Sequence, residues 1–286
     1  MKTSDTQKGI LCILAAAFGF ALMSVFVRLS GDLPTMQKAF FRNFVALIIA
    51  GVSLARTSGS FRLPKAAWSD QLFRCIFGTS GMIANFYAVD RIGIADANLL
   101  NKLSPFWAIL LSIPILKEKP GKVDIICTIG AFAGALLVIR PTGVVSETMP
   151  ALIGLYGGFG AGTAYVFVRR LSGKGIKTPI IVFYFSLFSC LITLPWMVFD
   201  HHPMTLQQWI YLLLAGVSAS LGQFGITTAY RYAPAKEISV FDYTQIVFAA
   251  ILGVFIFAET PVFLSIVGYA VIIGIAVFRW LRQKEG

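Results

Sequence analysis

The sequence predicts an all-α polytopic membrane protein, with ten transmembrane helices arranged as two inverted five-helix repeats around a central cavity. Three observations predict it: a composition too apolar for a soluble globule, ten apolar runs of membrane-spanning length, and a self-match at one fixed offset. Of the 286 residues, 57% are apolar and 13% charged, with a mean hydropathy of +0.78. A soluble domain carries about 25% charged residues. A globule of this length must still present polar surface to water, so the composition excludes a soluble enzyme or a nucleic-acid binder. In a chain that crosses a membrane many times, a net charge of +11 is read through its distribution rather than as a sign of an acidic partner.

A bilayer-crossing helix needs about 20 mostly apolar residues. On that rule the spans fall near 9–29, 35–55, 71–90, 95–116, 123–140, 151–170, 179–199, 208–230, 238–258 and 262–281. The first follows Lys2 and Lys8 and contains Ala15, Ala16 and Ala17, as a signal peptide can. Its apolar run is longer than the usual signal core and nine more spans follow, so it reads as a retained helix. The fourth span contains Lys102, Pro105 and Pro114, and the ninth starts near Lys236 and Glu237. Pro105 and Pro114 remove backbone hydrogen bonds within the fourth span, which predicts a local break there. The links are too short for a soluble domain, and the alternating ten-residue segments of a membrane β-barrel are not present.

With the N-terminus placed inside, 17 of the 24 Lys and Arg residues fall in cytoplasmic segments and four on the outside. This asymmetry predicts an inner-membrane, multi-pass protein with both termini cytoplasmic. Cys12, Cys75, Cys127 and Cys190 all lie in apolar spans and read as small core residues. His201 and His202 share one short link, read as a solvated loop with no metal site.

At an offset of 141, Val25–Arg28 meets Val166–Arg169, and Leu14, Phe18 and Gly19 meet Leu155, Phe159 and Gly160. Trp68 meets Trp209, Gly81 meets Gly222, and Glu118 and Pro120 meet Glu259 and Pro261. The chain therefore divides into residues 1–147 and 148–286. Five helices is an odd number, so the second unit enters the membrane inverted relative to the first. Inverted repeats are a structural basis of alternating access about a midplane site.

Two five-helix halves in 286 residues, each with Glu and then Pro after its fourth helix (Glu118, Pro120; Glu259, Pro261), resemble the drug/metabolite transporter superfamily, EamA type. Phe40-Phe41-Arg42 is similar to that family's aromatic-Arg element. The resemblance implies a ten-helix basket with helices five and ten peripheral, and transport of small metabolites or toxic amphiphiles in either direction. Export of a metabolite or amino acid is the broad expectation. The Phe-Phe-Arg element and Arg74 are also similar to S-adenosylmethionine uptake members, which keeps a metabolite-uptake permease as the alternative.

Ionisable groups deep in a bilayer are costly and mark functional sites by default. Arg42, Arg74, Lys102 and Asp242 are the deepest. The repeat sets Asn101 opposite Asp242 and Lys102 opposite Tyr243, so two related helices present opposite charges at similar depth. These two charges are expected at the cavity, paired directly or bridged by substrate; the alternative is a salt bridge that only fixes helix packing. Asn85, Asn98, Asn101, Gln223, Trp107 and Tyr243 complete a mostly apolar pocket with a few orienting groups. Asp242, Glu237 and Asp96 are the candidates for proton coupling. Arg42, Arg74, Glu118, Glu259 and Pro105 are assigned structural or gating roles, with Arg42 expected to anchor its helix to a carboxylate or to C-terminal carbonyls. The glycine matches read as places of close helix approach.

No GxxxxGK[ST] loop is present, so the carrier reading involves no ATP hydrolysis, and no cofactor is implied. The expected partners are a small-molecule substrate, protons as a candidate coupling ion and membrane lipid; no nucleic acid is expected, and a monomer and a homodimer are both left open. The readings from other classes are a channel and a membrane-embedded enzyme. The enzyme would need clustered His and carboxylates, against two adjacent His in one loop.

Overall fold

Long apolar runs with few interior breakers fold as helices because a bilayer leaves the backbone no other partner for its polar groups. The computed structural model describes residues 3–56, 61–92, 100–139, 148–258 and 263–285. Among these residues are ten helices of 13 or more residues: α1 (Thr3–Leu29), α2 (Thr35–Arg56), α3 (Trp68–Ile92), α4 (Ser104–Leu116), α5 (Lys122–Ile139), α6 (Thr148–Gly173), α7 (Thr178–Phe199), α8 (Leu206–Tyr232), α9 (Thr244–Phe257) and α10 (Phe263–Glu285). A single helical turn, Ala235–Ile238, and a 3-10 turn, Ser239–Tyr243, lead into α9. Seven stretches, α1, α2, α6, α7, α8, α10 and the run Ala235–Phe257, are long and apolar enough to cross a membrane. Large apolar side chains such as Leu11, Ile126, Met149, Val198 and Phe255 face outward, the surface that a lipid-embedded bundle presents.

The principal packing partners are α1 with α8, α3 with α6, α2 with α7, α5 with α10, α2 with α8, α4 with α6 and α1 with α9. Each pair joins a helix before residue 140 to one after residue 147, so neither stretch is a separately packed unit. Exchanging each helix for the one five places along maps these pairs onto one another, with α2–α8 mapping onto a less extensive contact of α3 with α7. Close approach shows the same relation. A Cβ on Gly19 would lie 2.7 Å from the Gly222 nitrogen and 2.9 Å from the Ser218 carbonyl. At the positions 141 residues away, a Cβ on Gly160 would lie 2.7 Å from the Phe77 carbonyl and 2.8 Å from the Gly81 Cα. The glycines are thus where α1 meets α8 and α6 meets α3, backbone against backbone.

Polar ties fasten the bundle at both ends. At one end Thr6 Oγ1 donates to Glu237 Oε2 at 2.8 Å and Lys236 Nζ to the Lys119 carbonyl at 3.2 Å. Asp124 there accepts from the Gly121 nitrogen at 2.7 Å and pairs with Arg279 at 2.5 Å. The start of α1 and the last turns of α10 therefore share one end of the molecule. Asp70 joins that end, pairing with Lys174 at 2.7 Å and Arg170 at 3.4 Å. At the opposite end Gln208 Nε2 donates to the Ser30 carbonyl at 3.1 Å, and the Gln37 side chain exchanges two hydrogen bonds with the His202 backbone at 3.0 and 3.1 Å. Cys12, Cys75, Cys127 and Cys190 are free thiols, three of them buried.

Helix four differs from its expected form. It is a 13-residue helix that starts at Ser104, with Lys102 and Leu103 in a turn before it. Pro105 sits in its first turn rather than inside it. Proline is well placed there, since the first helical N–H groups have no intrahelical acceptor; helical backbone at Leu100 and Asn101 is interrupted at Lys102–Leu103, so the expected local break lies just before Pro105. Pro114 does lie inside.

Gly19→Ala and Gly160→Ala should each lower the thermal unfolding midpoint in detergent, at a cost of about 1–3 kcal/mol for overpacking. Gly274→Ala, with nothing within 4 Å of its added Cβ, should be neutral in the same assay.

Candidate substrate site

Helices α4 and α9 have 13 and 14 residues. At a 1.5 Å rise per residue each covers about 20 Å, against an apolar bilayer core of about 30 Å. Neither α-helix crosses the core by itself, α9 being continued by the turns Ala235–Tyr243 into a run that does, and both end alike. Lys117 and Ala258 close them in the left-handed region, at φ 57° and 53°, and donate their N–H groups to the Ser112 and Gly253 carbonyls. Lys117 and Ala258 are 141 residues apart, as are Ser112 and Gly253. Discontinuous helices in corresponding positions of two repeats are the usual site of substrate binding in such bundles.

The breaks before α4 and α9 meet. Lys102 Nζ lies 3.1 Å from Asp242 Oδ2 and donates to Gln245 Oε1 at 2.8 Å and to the Asp242 carbonyl at 3.3 Å. The three acceptors match the three protons of the ammonium group. Lys102 and Asp242 are 8% and 5% exposed, so neither charge is solvated by bulk water. Tyr243, fully buried, donates its hydroxyl to the Lys102 carbonyl at 2.9 Å, and Thr244 Oγ1 donates to the Phe241 carbonyl at 2.6 Å. Side chains thus supply hydrogen bonds to backbone carbonyls at both breaks. Gln245 is a member that sequence reasoning missed; its signal was a position one helical turn from Asp242.

Several of the polar atoms that are buried without a hydrogen-bond partner lie on the neighbouring helices: Asn85 Oδ1 on α3, Trp107 Nε1 on α4, Ser186 Oγ on α7, and Gln223 Nε2 and Thr227 Oγ1 on α8. Orphaned buried groups are few in a folded protein and each calls for an explanation. Aromatic rings frame them. Phe159 on α6 meets Trp107 edge-on at 5.3 Å and Phe77 at 5.9 Å. Tyr165 stacks on Tyr230 at 5.1 Å, and Tyr230 hydroxyl and Ser239 Oγ are 3.3 Å apart.

The other expected residues fall in three groups. Asn101 is half-buried, in helical backbone just before the Lys102–Leu103 turn. Glu237 lies at the end of the bundle that carries the start of α1, held by Thr6, and not beside Asp242. Glu118 lies at that same end, 3.7 Å from Arg169, while Arg169 also donates to the Tyr230 and Arg231 carbonyls at 3.1 and 2.9 Å. Asp96, Asn98 and Glu259 lie outside the described residues. Arg42 departs from expectation. No carboxylate lies within ion-pair distance of it among the described residues; its guanidinium instead faces the Phe20 ring at 6.0 Å.

The family profile of EamA-like transporters matches this sequence twice, over residues 7–140 and 148–280. The chain is 32% identical over 282 residues to a pseudopaline exporter of Pseudomonas aeruginosa, covering 98% of each chain. It is 25% identical over 291 residues to a riboflavin transporter of Brucella anthropi, covering 96% of this chain and 98% of the relative. Its fold superposes on a solved crystal structure with a TM-score of 0.85 at 16% identity, over 98% of both chains.

Removing one partner of a buried ion pair leaves an uncompensated charge, at a cost of about 3–5 kcal/mol. Asp242→Asn and Lys102→Met should each lower the unfolding midpoint clearly, and the double variant should recover most of the loss. Additive losses in the double variant would show that the two groups do not compensate one another.

Proposed function

This chain belongs to the EamA-like transporter family, and on that premise we propose that it is a secondary carrier moving a small organic metabolite across the cytoplasmic membrane by alternating access, in the direction of export. The observation that carries the reading is the pair of partial helices α4 and α9, broken at matching depth and linked through Lys102 and Asp242. In this reading residues 1–147 and 148–286 are inverted repeats that exchange conformations, and the substrate binds beside the two breaks. Support comes from the double family match, the matched left-handed caps and the exchange symmetry of the helix packing. Export is favoured by the relative with the highest identity quoted above, itself an exporter. The seventeen basic residues assigned to one side put both termini in the cytoplasm.

The ion pair gives the carrier its moving contact. Lys102 is on the α4 side and Asp242 and Gln245 are on the α9 side, so any rocking of one repeat against the other must lengthen these bonds. Substrate or a proton then takes up the exposed valence, and Asp242 is the coupling group. At the proposed cytoplasmic end, Glu118 and Arg169 close the path between α4 and α6.

Reconstituted protein should show saturable uptake of a member of a small-metabolite panel, accelerated by the same compound on the trans side; a pore would show no such acceleration. Asp242→Asn should alter the response to an imposed pH gradient, and an unchanged response would remove Asp242 from coupling. Glu118 provides a second pH effect. Burial pushes its carboxyl above the ordinary carboxylate range, more than the Arg169 guanidinium lowers it, and Glu118 Oε2 has no hydrogen-bond partner. The closed end therefore binds this proton more tightly than an end opened to water. Acidification should favour closure, and that preference should be lost as pH rises through the raised value. Cysteine-labelling rates at this end should report the shift, and Glu118→Gln should flatten it.

A further inference from the structure

Two positive charges in the bundle interior are left over when the Lys102–Asp242 pair is closed. Arg74 on α3 is 3% exposed and Arg42 on α2 is half-buried. Each is within electrostatic reach of the other and of the Tyr165 hydroxyl on α6. Among the described residues neither has a carboxylate within ion-pair distance. Arg74 lies flat on the Phe185 ring, its guanidinium carbon 3.9 Å from the ring centroid. Gly78 makes that posture possible, because a Cβ there would overlap Arg74 Nη1. Arg74 Nε is buried with no hydrogen-bond partner.

A charged side chain near the bilayer centre costs about 2.5–3.5 kcal/mol even on insertion scales, and two like charges raise that further. A purely structural arginine would be expected to have its donors satisfied. Here both cations rest against aromatic faces, Phe20 and Phe185, which leaves the N–H edges of the guanidinium planes for a planar acceptor. That fork matches a carboxylate in a bidentate pair. Asp242 is already committed to Lys102, so among the described residues no carboxylate pairs with either arginine.

We propose that Arg42 and Arg74, with Tyr165, form an anion site that holds the carboxylate of the transported molecule, and that the substrate class is therefore small organic carboxylates. This deepens the carrier reading and rests on it for the word substrate. Trp107, Asn85 and Gln223, which also carry buried unpartnered polar atoms, are available to the rest of the molecule.

The test uses the purified full-length chain in detergent, with unfolding midpoints measured against succinate, citrate and glutamate, and with inorganic phosphate and choline as the contrasting ions. At least one carboxylate should raise the midpoint saturably, choline should not, and phosphate should do so more weakly. Arg74→Gln should weaken the apparent affinity about tenfold or more, the scale of one lost charge-assisted hydrogen bond, while raising the midpoint of the ligand-free protein by removing an uncompensated charge. Arg74→Lys, which keeps the charge without the fork, should bind more weakly than wild type. Arg42→Gln on a different helix should lower the affinity in the same direction, and it carries the test if Arg74→Gln does not fold. The proposal is overturned if no carboxylate shifts wild type, if phosphate shifts it as strongly as the carboxylates, or if the affinity survives in the Arg variants. It is also overturned if proteoliposomes show counterflow of a neutral or cationic compound that Arg74→Gln leaves intact, a result in which the carrier reading stands. Carboxylate binding lost in the Arg variants but without counterflow of any compound would instead sink the carrier reading and leave the anion site.

Discussion

Every polar group inside this bundle needs a partner supplied by the protein, because lipid supplies none. Lys102 shows the constraint most fully. Its ammonium group reaches Asp242, the Asp242 carbonyl and Gln245, and Tyr243 returns a hydrogen bond to the Lys102 carbonyl. One set of contacts therefore neutralises a charge, satisfies backbone groups at two helix breaks and joins α4 to the segment leading into α9. The breaks are tolerable only because they face each other. Either one alone would leave open carbonyls and an unpaired charge in a medium where each costs several kcal/mol.

The same economy explains the shape of the bundle. Small residues allow α1 and α8, and equally α3 and α6, to approach until backbone meets backbone. Ionic ties then gather at one end, where Asp70, Glu118 and Asp124 meet basic partners. Other buried groups are not paired by the protein with itself: Arg74, Asn85, Gln223 and Trp107 carry orphaned atoms. A helix pair held tightly at its glycines and tied at its ends can rock as a unit, and unsatisfied polar groups between such units are what a passing solute would use.

Two expectations were refined by the structure. A local break was expected in the fourth span at its prolines, and the interruption lies at Lys102–Leu103, just before Pro105, which sits in the first turn of α4. Arg42 was expected to reach a carboxylate or C-terminal carbonyls; among the described residues no carboxylate pairs with it, and its guanidinium faces the Phe20 ring.

The apolar character of the segments, their length and their recurrence at an offset of 141 are properties that add up along the chain, so the membrane class, the ten helices and the Gly19–Gly160 and Lys102–Tyr243 correspondences were all legible without coordinates. The opposite charges of Lys102 and Asp242 at similar depth were legible too. Where α4 and α9 start, which oxygen joins Asp242 around Lys102, and which arginine is left without an anion were decided by the tertiary structure. Those outcomes depend on how each helix is rotated and where it is interrupted, and residues about 140 apart in sequence carry no local trace of the angle at which they will meet.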